Sequence, residues 1–158
     1  MTIRDIRMFG DPVLTTRSDE ITEFDDALRA LVALGQTSEA LVISDIAERQ
    51  RIPKKFLEQI LLELKRAGIV NSRRGRMGGY ELLKAPEEIT YGEVLRLIDG
   101  PIAPLPCLSK IAYKKCVDCQ DEGSCEIRHV FERVTLATRA VLDRTSLADS
   151  LNLEDLPV

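Results

Sequence analysis

The sequence predicts a mainly α-helical protein with a winged helix-turn-helix, a small β-hairpin wing and a long C-terminal helix. Two observations support this fold class. A short and a longer helical pattern, separated by a brief turn, are followed by two short strands around a turn rich in arginine and glycine. Beyond a cysteine-rich segment, an apolar stripe of helical period extends over about four turns.

Composition indicates one globular domain of ordinary size, or a small domain with an appended dimerisation element. The chain has 158 residues, of which 44% are apolar and 30% charged. No apolar run is long enough to span a membrane. The N-terminal run MTIRDIRMFG lacks the apolar core of a signal peptide, so a cytoplasmic protein with reduced cysteines is expected.

The first two helices are predicted from periodicity and from start and stop signals. Apolar residues recur at helical spacing from about Phe24 to Leu34, and Gly35 ends this pattern. A second, short helix is expected in the segment SDIAERQ. Ser44 is expected to cap its N-terminus, and Asp45 places a negative charge in the first turn, where the helix dipole favours it.

The third helix is predicted from Pro53 to about Ala67 and has two distinct faces. Pro53 suits the first helical position, and Gly68 ends the pattern. The apolar face consists of Phe56, Leu57, Ile60, Leu61 and Leu64. The other face is polar or charged, with Leu62 as its one apolar member. This pattern predicts a helix that packs on its neighbours with one side and leaves the other side exposed.

Two strands and a further helix complete the predicted winged-helix domain, which spans residues 25–100. The strands are expected at Ile69–Arg73 and Tyr80–Lys84, around a turn that contains the run RRGRMGG. Thr90, with Glu93 three residues later, predicts a capping box at the start of the next helix.

The last third of the chain divides into an irregular loop and a long helix. Residues 101–124 contain three prolines and are predicted to be a cysteine-rich binding loop. Residues 125–158 are predicted to hold a helix to about Asp143 and a tail with one more helical turn around Leu147–Leu151. The apolar stripe of the long helix consists of Ile127, Val130, Phe131, Val134, Ala137, Thr138 and Val141. Because this stripe is too apolar to leave in water, we expect it to pair with a second copy in a homodimer.

The distribution of charge favours a nucleic-acid partner, although the whole chain has a net charge of −4. Between Arg49 and Arg76, nine basic and two acidic residues give a local charge of +7. Such polarisation suits a face for double-stranded DNA, with the third helix in the major groove and the hairpin on phosphates. The alternative is a charged surface that is merely solvated. The candidate DNA-binding residues are Lys54, Lys55, Glu58, Gln59, Arg73, Arg74 and Arg76.

The four cysteines form a cluster in the sequence, with the spacing C-x8-C-x2-C-x5-C from Cys107 to Cys125. Thiolates gathered in a polar loop of a cytoplasmic protein are most often metal ligands. Zinc would take four of them in a tetrahedron, and an iron–sulfur cluster also takes thiolates, so spacing alone leaves both open. Core cysteines or a thiol switch are the remaining alternatives. His129 is the only histidine and is a further possible ligand.

The chain resembles the Rrf-two family of bacterial transcription regulators, of the IscR, NsrR and RirA type. The runs ALRALVALG, IAERQ, FLEQILLELKRAGIV, SRRGRMGGY and EEITYGEVLRLIDGP carry the resemblance, which covers residues 27 to about 149. It implies a dimeric winged-helix DNA binder, in many members with a 2Fe–2S or 4Fe–4S cluster on three cysteines. These would be Cys107, Cys119 and Cys125, which leaves Cys116 as an extra thiol.

The resemblance does not supply the fourth ligand of such a cluster. One type of member uses a histidine three positions after the last cysteine, where this chain has Arg128. Other members use an acidic residue from the N-terminal segment, and the N-terminus of this chain does not match the family. His129 follows Arg128 and stays a candidate, as does Cys116. The resulting hypothesis is a cytoplasmic regulator that senses iron, redox state or nitric oxide through a cluster. The alternative is a winged-helix regulator with a structural zinc or a thiol switch.

The N-terminal residues 1–24 show no clean periodicity and are predicted to be an extension without catalytic function. Their sequence resembles the opening of a peptide deformylase, in the run IRMFGDPVLTTRSDEITEFDDALRALV. That enzyme family needs a G-x-G-x-A-A-x-Q loop, an E-G-C-L-S segment and an H-E-x-x-H helix, and this chain contains none of them. We therefore expect no enzymatic activity.

Overall fold

The computed structural model describes residues 23–75, 78–117, 119 and 121–152, so the predicted N-terminal extension lies outside the described residues except at its end. The helices and strands, in chain order, are α1 Glu23–Gly35, α2 Ile43–Gln50, α3 Lys54–Arg66, β1 Val70–Arg73, β2 Gly79–Leu82, α4 Tyr91–Ile98, α5 Glu126–Leu142 and α6 Leu147–Leu151. Short 3-10 turns lie at Pro86–Glu88 and Pro106–Leu108. Within the described ranges, no helix is both long and apolar enough to cross a bilayer.

The hydrophobic core lies between α1, α2, α3 and α4, because the apolar faces of these helices meet there. Its members include Ala27, Leu31, Leu34, Ile46, Leu57, Leu61, Leu64 and Val94, all buried. The apolar face predicted for the third helix is confirmed, and Leu62 is 46% exposed on the opposite side. Burial of each large side chain contributes about 1.5–3 kcal/mol of transfer free energy, so α3 is held firmly by one face.

The turn between α2 and α3 sets the direction of the third helix. Arg51 adopts a left-handed conformation with φ of 56°, and the N–H of Ile52 donates to the carbonyl of Ala47 at 3.0 Å. The prediction that Ser44 caps α2 is wrong. The N-cap is Val42, two residues earlier, and the Ser44 hydroxyl donates to Asp45 instead.

The hairpin formed by β1 and β2 is antiparallel and is held to the helical core by a third short segment. Val70 pairs with Leu82, and Arg73 pairs with Gly79. Leu41, before α2, exchanges two backbone hydrogen bonds of 2.8 Å with Tyr80. The wing is therefore anchored to the helix-turn-helix as well as to the end of α3.

The capping prediction at α4 is confirmed in part. The hydroxyl of Thr90 accepts a hydrogen bond from the N–H of Glu93 at 3.1 Å. The Glu93 carboxylate does not return to the N-cap, because it forms an ion pair of 2.6 Å with Lys84. One half of the predicted capping box is thus replaced by a bond that joins α4 to the end of the hairpin.

The C-terminal end of α5 is joined to the start of α4 by several contacts. Asp143 accepts from the Arg96 guanidinium at 2.7 Å, and the N–H of Tyr91 donates to the carbonyl of Thr145 at 3.0 Å. Leu147 is only 1% exposed, in the same core as α1. The helical turn predicted around Leu147–Leu151 is confirmed as α6, and it packs on α1 and fixes the end of the long helix.

Gly79→Ala is expected to destabilise the protein by about 1–3 kcal/mol, since overpacking against fixed backbone has this cost. A Cβ atom at this position would lie 2.4 Å from the carbonyl oxygen of Leu41, the segment that anchors the wing. Denaturant unfolding monitored by circular dichroism measures the change. Leu83→Ala is the matched control, because Leu83 is 61% exposed at the end of the same hairpin and should change stability little. Equal stability of both variants would mean that the wing is not anchored in this way.

Candidate nucleic-acid interface and cysteine site

The N-terminal half of α3 presents the four predicted polar residues to solvent. Lys54, Lys55, Glu58 and Gln59 are all exposed, while Leu57 between them is fully buried. The helix begins at Lys54, directly after Pro53 at its N-cap. The side chains are positioned to meet a partner along one helix face without loss of core packing.

The arginines predicted to bind DNA from the hairpin differ in their surroundings. Arg73 is 64% exposed but forms an ion pair of 2.8 Å with Glu81 across the strands. Arg74 is exposed, and among the described residues no ion pair is found for it. Arg76 lies outside the described residues. The Arg73–Glu81 pair was not predicted, although the strand register indicates it, because Glu81 is opposite Asn71 and diagonal to Arg73.

The four cysteines line one shared cavity of about 480 Å³ between the binding loop and the start of α5. All four are free thiols, and Cys116 is the most exposed of them. The other residues that line this cavity are Leu105, Pro106, Lys114, Lys115, Val117, Ile127 and Arg128. Residues separated by up to 18 positions in the sequence are therefore brought to a single space with apolar walls and a basic rim.

The four cysteines are held by three local elements. Cys107 is the middle residue of the 3-10 turn Pro106–Leu108, and Leu108 anchors this turn by its burial. The carbonyl of Cys116 accepts from the N–H of Cys119 at 3.3 Å, which closes a turn between them. Cys125 occupies the N-cap position of α5.

The loop between Cys119 and Cys125 is braced by its own side chains. The Asp121 carboxylate accepts from the backbone N–H of Ser124 at 2.9 Å, and the pKa of Asp121 is lowered by Ser124 and Gly123 hydrogen bonds. Glu122 accepts from the Tyr113 hydroxyl and lies 3.5 Å from Arg128. The hydrogen bond to Glu122 raises the pKa of Tyr113. These bonds close the loop against α5.

The structure does not bring His129 into the cavity. Its Nε2 donates to the carbonyl oxygen of Gly123 at 2.8 Å, and the imidazole thereby belongs to the bracing of the loop. Arg128, three residues after Cys125, does line the cavity, but a guanidinium is not a metal ligand.

The thiols are close enough to influence one another. Burial raises the pKa of Cys119, Cys125 and Cys116 raise it further, and Lys115 lowers it. Among the described residues, no three cysteine, histidine or acidic side chains are already arranged as a metal site. The donor set is nevertheless made of thiols only, which suits zinc or an iron–sulfur cluster and does not suit hard cations such as magnesium.

Sequence comparisons identify relatives over most of the chain. The profile of the family Rrf2, iron-dependent transcriptional regulator, matches residues 21–152. An rrf2-like HTH-type transcriptional regulator of Rhodobacter capsulatus is 51% identical over 130 residues, which are 79% of this chain and 87% of that protein. The HTH-type transcriptional regulator NsrR of Bacillus licheniformis is 32% identical over 139 residues, which are 86% of this chain and 94% of that protein.

Solved structures show the same fold. The global cysteine regulator CymR of B. subtilis superposes with a TM-score of 0.70 and 27% identity, over 87% of this chain and 98% of that one. The IscR of T. potens superposes with a TM-score of 0.67 and 25% identity, over 92% and 96%. The predicted winged-helix fold class is thus confirmed, and the relatives are transcriptional regulators rather than enzymes.

Arg74→Ala is expected to weaken binding to duplex DNA of any sequence, because an exposed cation on the wing contributes one phosphate contact. The slope of log K against log salt concentration should decrease by about one unit. Fluorescence anisotropy with a labelled duplex at several salt concentrations measures this slope. Arg73→Ala is the matched comparison and should have a smaller effect, since Glu81 already neutralises that guanidinium. An unchanged slope for Arg74→Ala would show that the wing does not contact phosphates.

Proposed function

Because this chain belongs to the Rrf2 family of transcriptional regulators, we propose that it is a DNA-binding homodimer that senses its signal through an iron–sulfur cluster. The signal would be iron, redox state or nitric oxide. The observation that carries the proposal is the convergence of all four cysteines on one cavity beside α5. The alternative function keeps the same DNA interface and replaces the cluster by a structural zinc or a thiol switch.

Cys107, Cys119 and Cys125 are the proposed ligands of the cluster, 2Fe–2S or 4Fe–4S. A bound cluster supplies a centre whose stability depends on oxidants, nitric oxide and iron supply. The chain itself contributes thiols from three elements, so binding would fix those elements relative to one another. Lys114, Lys115 and Arg128 line the same cavity and offset the negative charge of thiolates.

In the proposed DNA complex, α3 recognises the base sequence and the wing increases affinity through phosphate contacts. With α3 in the major groove, Gln59 can pair bidentately with adenine and Glu58 can accept from a cytosine amino group. Lys54, Lys55 and Arg74 are exposed and would contact phosphates. The acidic remainder of the chain repels DNA and so favours this one face.

The proposed dimer contact is the apolar stripe of α5, which no other described element covers. Its large side chains keep much of their surface exposed, with Val130 at 60%, Val134 at 49% and Val141 at 63%. A continuous apolar row of this kind marks an interaction surface in a folded protein. Pairing with a symmetry mate would set two α3 helices about one DNA turn apart.

The cysteine site can act on the DNA interface through α5. The Arg139 guanidinium donates to the carbonyl of Leu108, beside Cys107, at 3.2 Å. One turn later on α5, Asp143 forms the 2.7 Å ion pair with Arg96 of α4. A change in the turn that holds Cys107 therefore reaches the winged helix through one rigid helix, without any contact between cluster and DNA.

Val134→Glu is expected to give monomers with weak operator binding, because a carboxylate at the centre of the stripe would be buried without a partner. Light scattering at micromolar concentration measures the mass. Ala140→Glu is the matched control, since Ala140 is exposed on the same helix outside the stripe and should leave the assembly unchanged. A wild type that is monomeric under these conditions would contradict the proposed dimer.

The sensing proposal is tested by anaerobic purification, followed by metal and sulfide analysis and DNA titration with and without the metal. We expect a brown or red protein whose DNA affinity changes by roughly 5–150-fold on loss of the cluster. Arg139→Gln should reduce this ratio toward one while it retains the visible absorption. Arg144→Gln, one turn beyond and exposed, is the control and should keep the ratio.

Other outcomes separate the alternatives. A colourless zinc protein with the same DNA affinity before and after chelation would establish a structural zinc. A metal-free protein whose DNA affinity changes reversibly with oxidant and thiol reductant would establish a thiol switch.

A further inference from the structure

We infer that Cys116 is the fourth ligand of the metal centre and completes a four-thiolate set with Cys107, Cys119 and Cys125. This inference rests on the proposed function in one respect, that the cysteine site holds a metal. It extends that proposal, because all four ligands come from loop 101–124 and the N-cap of α5. No acidic residue or histidine from another part of the chain is then required.

The composition of the cavity wall supports the inference. Cys116 lines the same cavity as the other three cysteines. Among the described residues, no histidine, aspartate or glutamate lines it. Cys116 is therefore the one remaining side chain of this wall that has the chemistry of a soft-metal ligand.

A backbone hydrogen bond joins Cys116 and Cys119, the two cysteines of the C-x2-C spacing. The 3.3 Å bond from the Cys119 N–H to the Cys116 carbonyl closes the C-x-x-C segment. A C-x2-C spacing is one that protein metal sites use, because both sulfurs reach one side of the same turn.

His129, the other candidate for the fourth ligand, already forms a hydrogen bond within the loop. His129 Nε2 donates to Gly123 at 2.8 Å, and this bond holds the loop that carries Cys119 and Cys125. Ligation by Nε2 would break the bond and release the brace. Ligation by Cys116 breaks no side-chain bond that the structure shows.

The charge of the surroundings is compatible with four thiolates. Lys114 and Lys115 directly precede Cys116, and both line the cavity together with Arg128. Four thiolates carry more negative charge than three, and the two lysines offset it, while Arg128 already pairs with Glu122 and Glu132. A neutral histidine as fourth ligand would not need this concentration of positive charge.

The test is anaerobic reconstitution of the full-length chain with ferrous iron and sulfide, in wild type and in single variants. Iron and acid-labile sulfide per protomer, the visible absorption and the half-life in a chelator are measured. Cys116→Ala is expected to lose iron and sulfide to the same extent as Cys119→Ala, with unchanged far-ultraviolet circular dichroism. His129→Gln should keep the wild-type iron content. Lys110→Ala, an exposed change in the same loop, is the matched control.

The inference is overturned if Cys116→Ala keeps the iron and sulfide content, absorption and chelator half-life of the wild type. It is also overturned if His129→Gln loses the metal while Cys116→Ala keeps it. Zinc titration distinguishes it from the proposed function. A wild type that assembles no cluster but binds one zinc, with affinity reduced equally by each of the four cysteine variants, would reject the iron–sulfur proposal and support the four-thiolate set. A wild type that binds neither metal would reject both.

Discussion

The junction between Asp143 and the start of α4 is the constraint on which the rest of the molecule depends. The carboxylate of Asp143 lies so close to Gly92 that a Cβ atom there would be 2.0 Å from its Oδ1. Glycine therefore permits the 2.7 Å ion pair with Arg96, and the backbone bond from Tyr91 to Thr145 follows directly. These contacts fix the long helix at one end, while its other end carries the cysteine site and the exposed apolar stripe runs along its length.

Local patterns in the sequence were sufficient to predict most of the helices. The faces of α3, its ends and the Thr90 cap depend on neighbouring residues only, so periodicity and capping rules predicted them. The pairing of Leu41 with Tyr80 and the return of Leu147 to the core join distant segments. No local pattern encodes such contacts, because they arise from burial against elements that are not adjacent in sequence. The Ser44 cap was not confirmed either, because α2 begins at Ile43 with Val42 at its N-cap.

The candidate site was predictable in its chemistry but not in its shape. Amphipathic spacing identified the exposed face of α3, and the cysteine cluster was visible as a spacing. The sequence did not predict which cysteines line the same cavity, because loop 101–124 has no periodicity. Its conformation depends on hydrogen bonds of side chains such as Asp121, Glu122 and His129. The same holds for Arg73, whose charge is offset by Glu81 only once the strand register is known.

The cysteine loop also affects how the protein can evolve. Its two ends are set by Gly100 after α4 and by Cys125 at the start of α5, while Val117 near its middle is 94% exposed. Lengthening such a loop is inexpensive, since each doubling adds only about 0.6 kcal/mol of closure entropy. Insertions and deletions between Cys107 and Cys116 can therefore alter the proposed metal site while the winged-helix core keeps its stability. If this loop senses the signal as proposed, selection can change the sensing site separately from the DNA-binding residues.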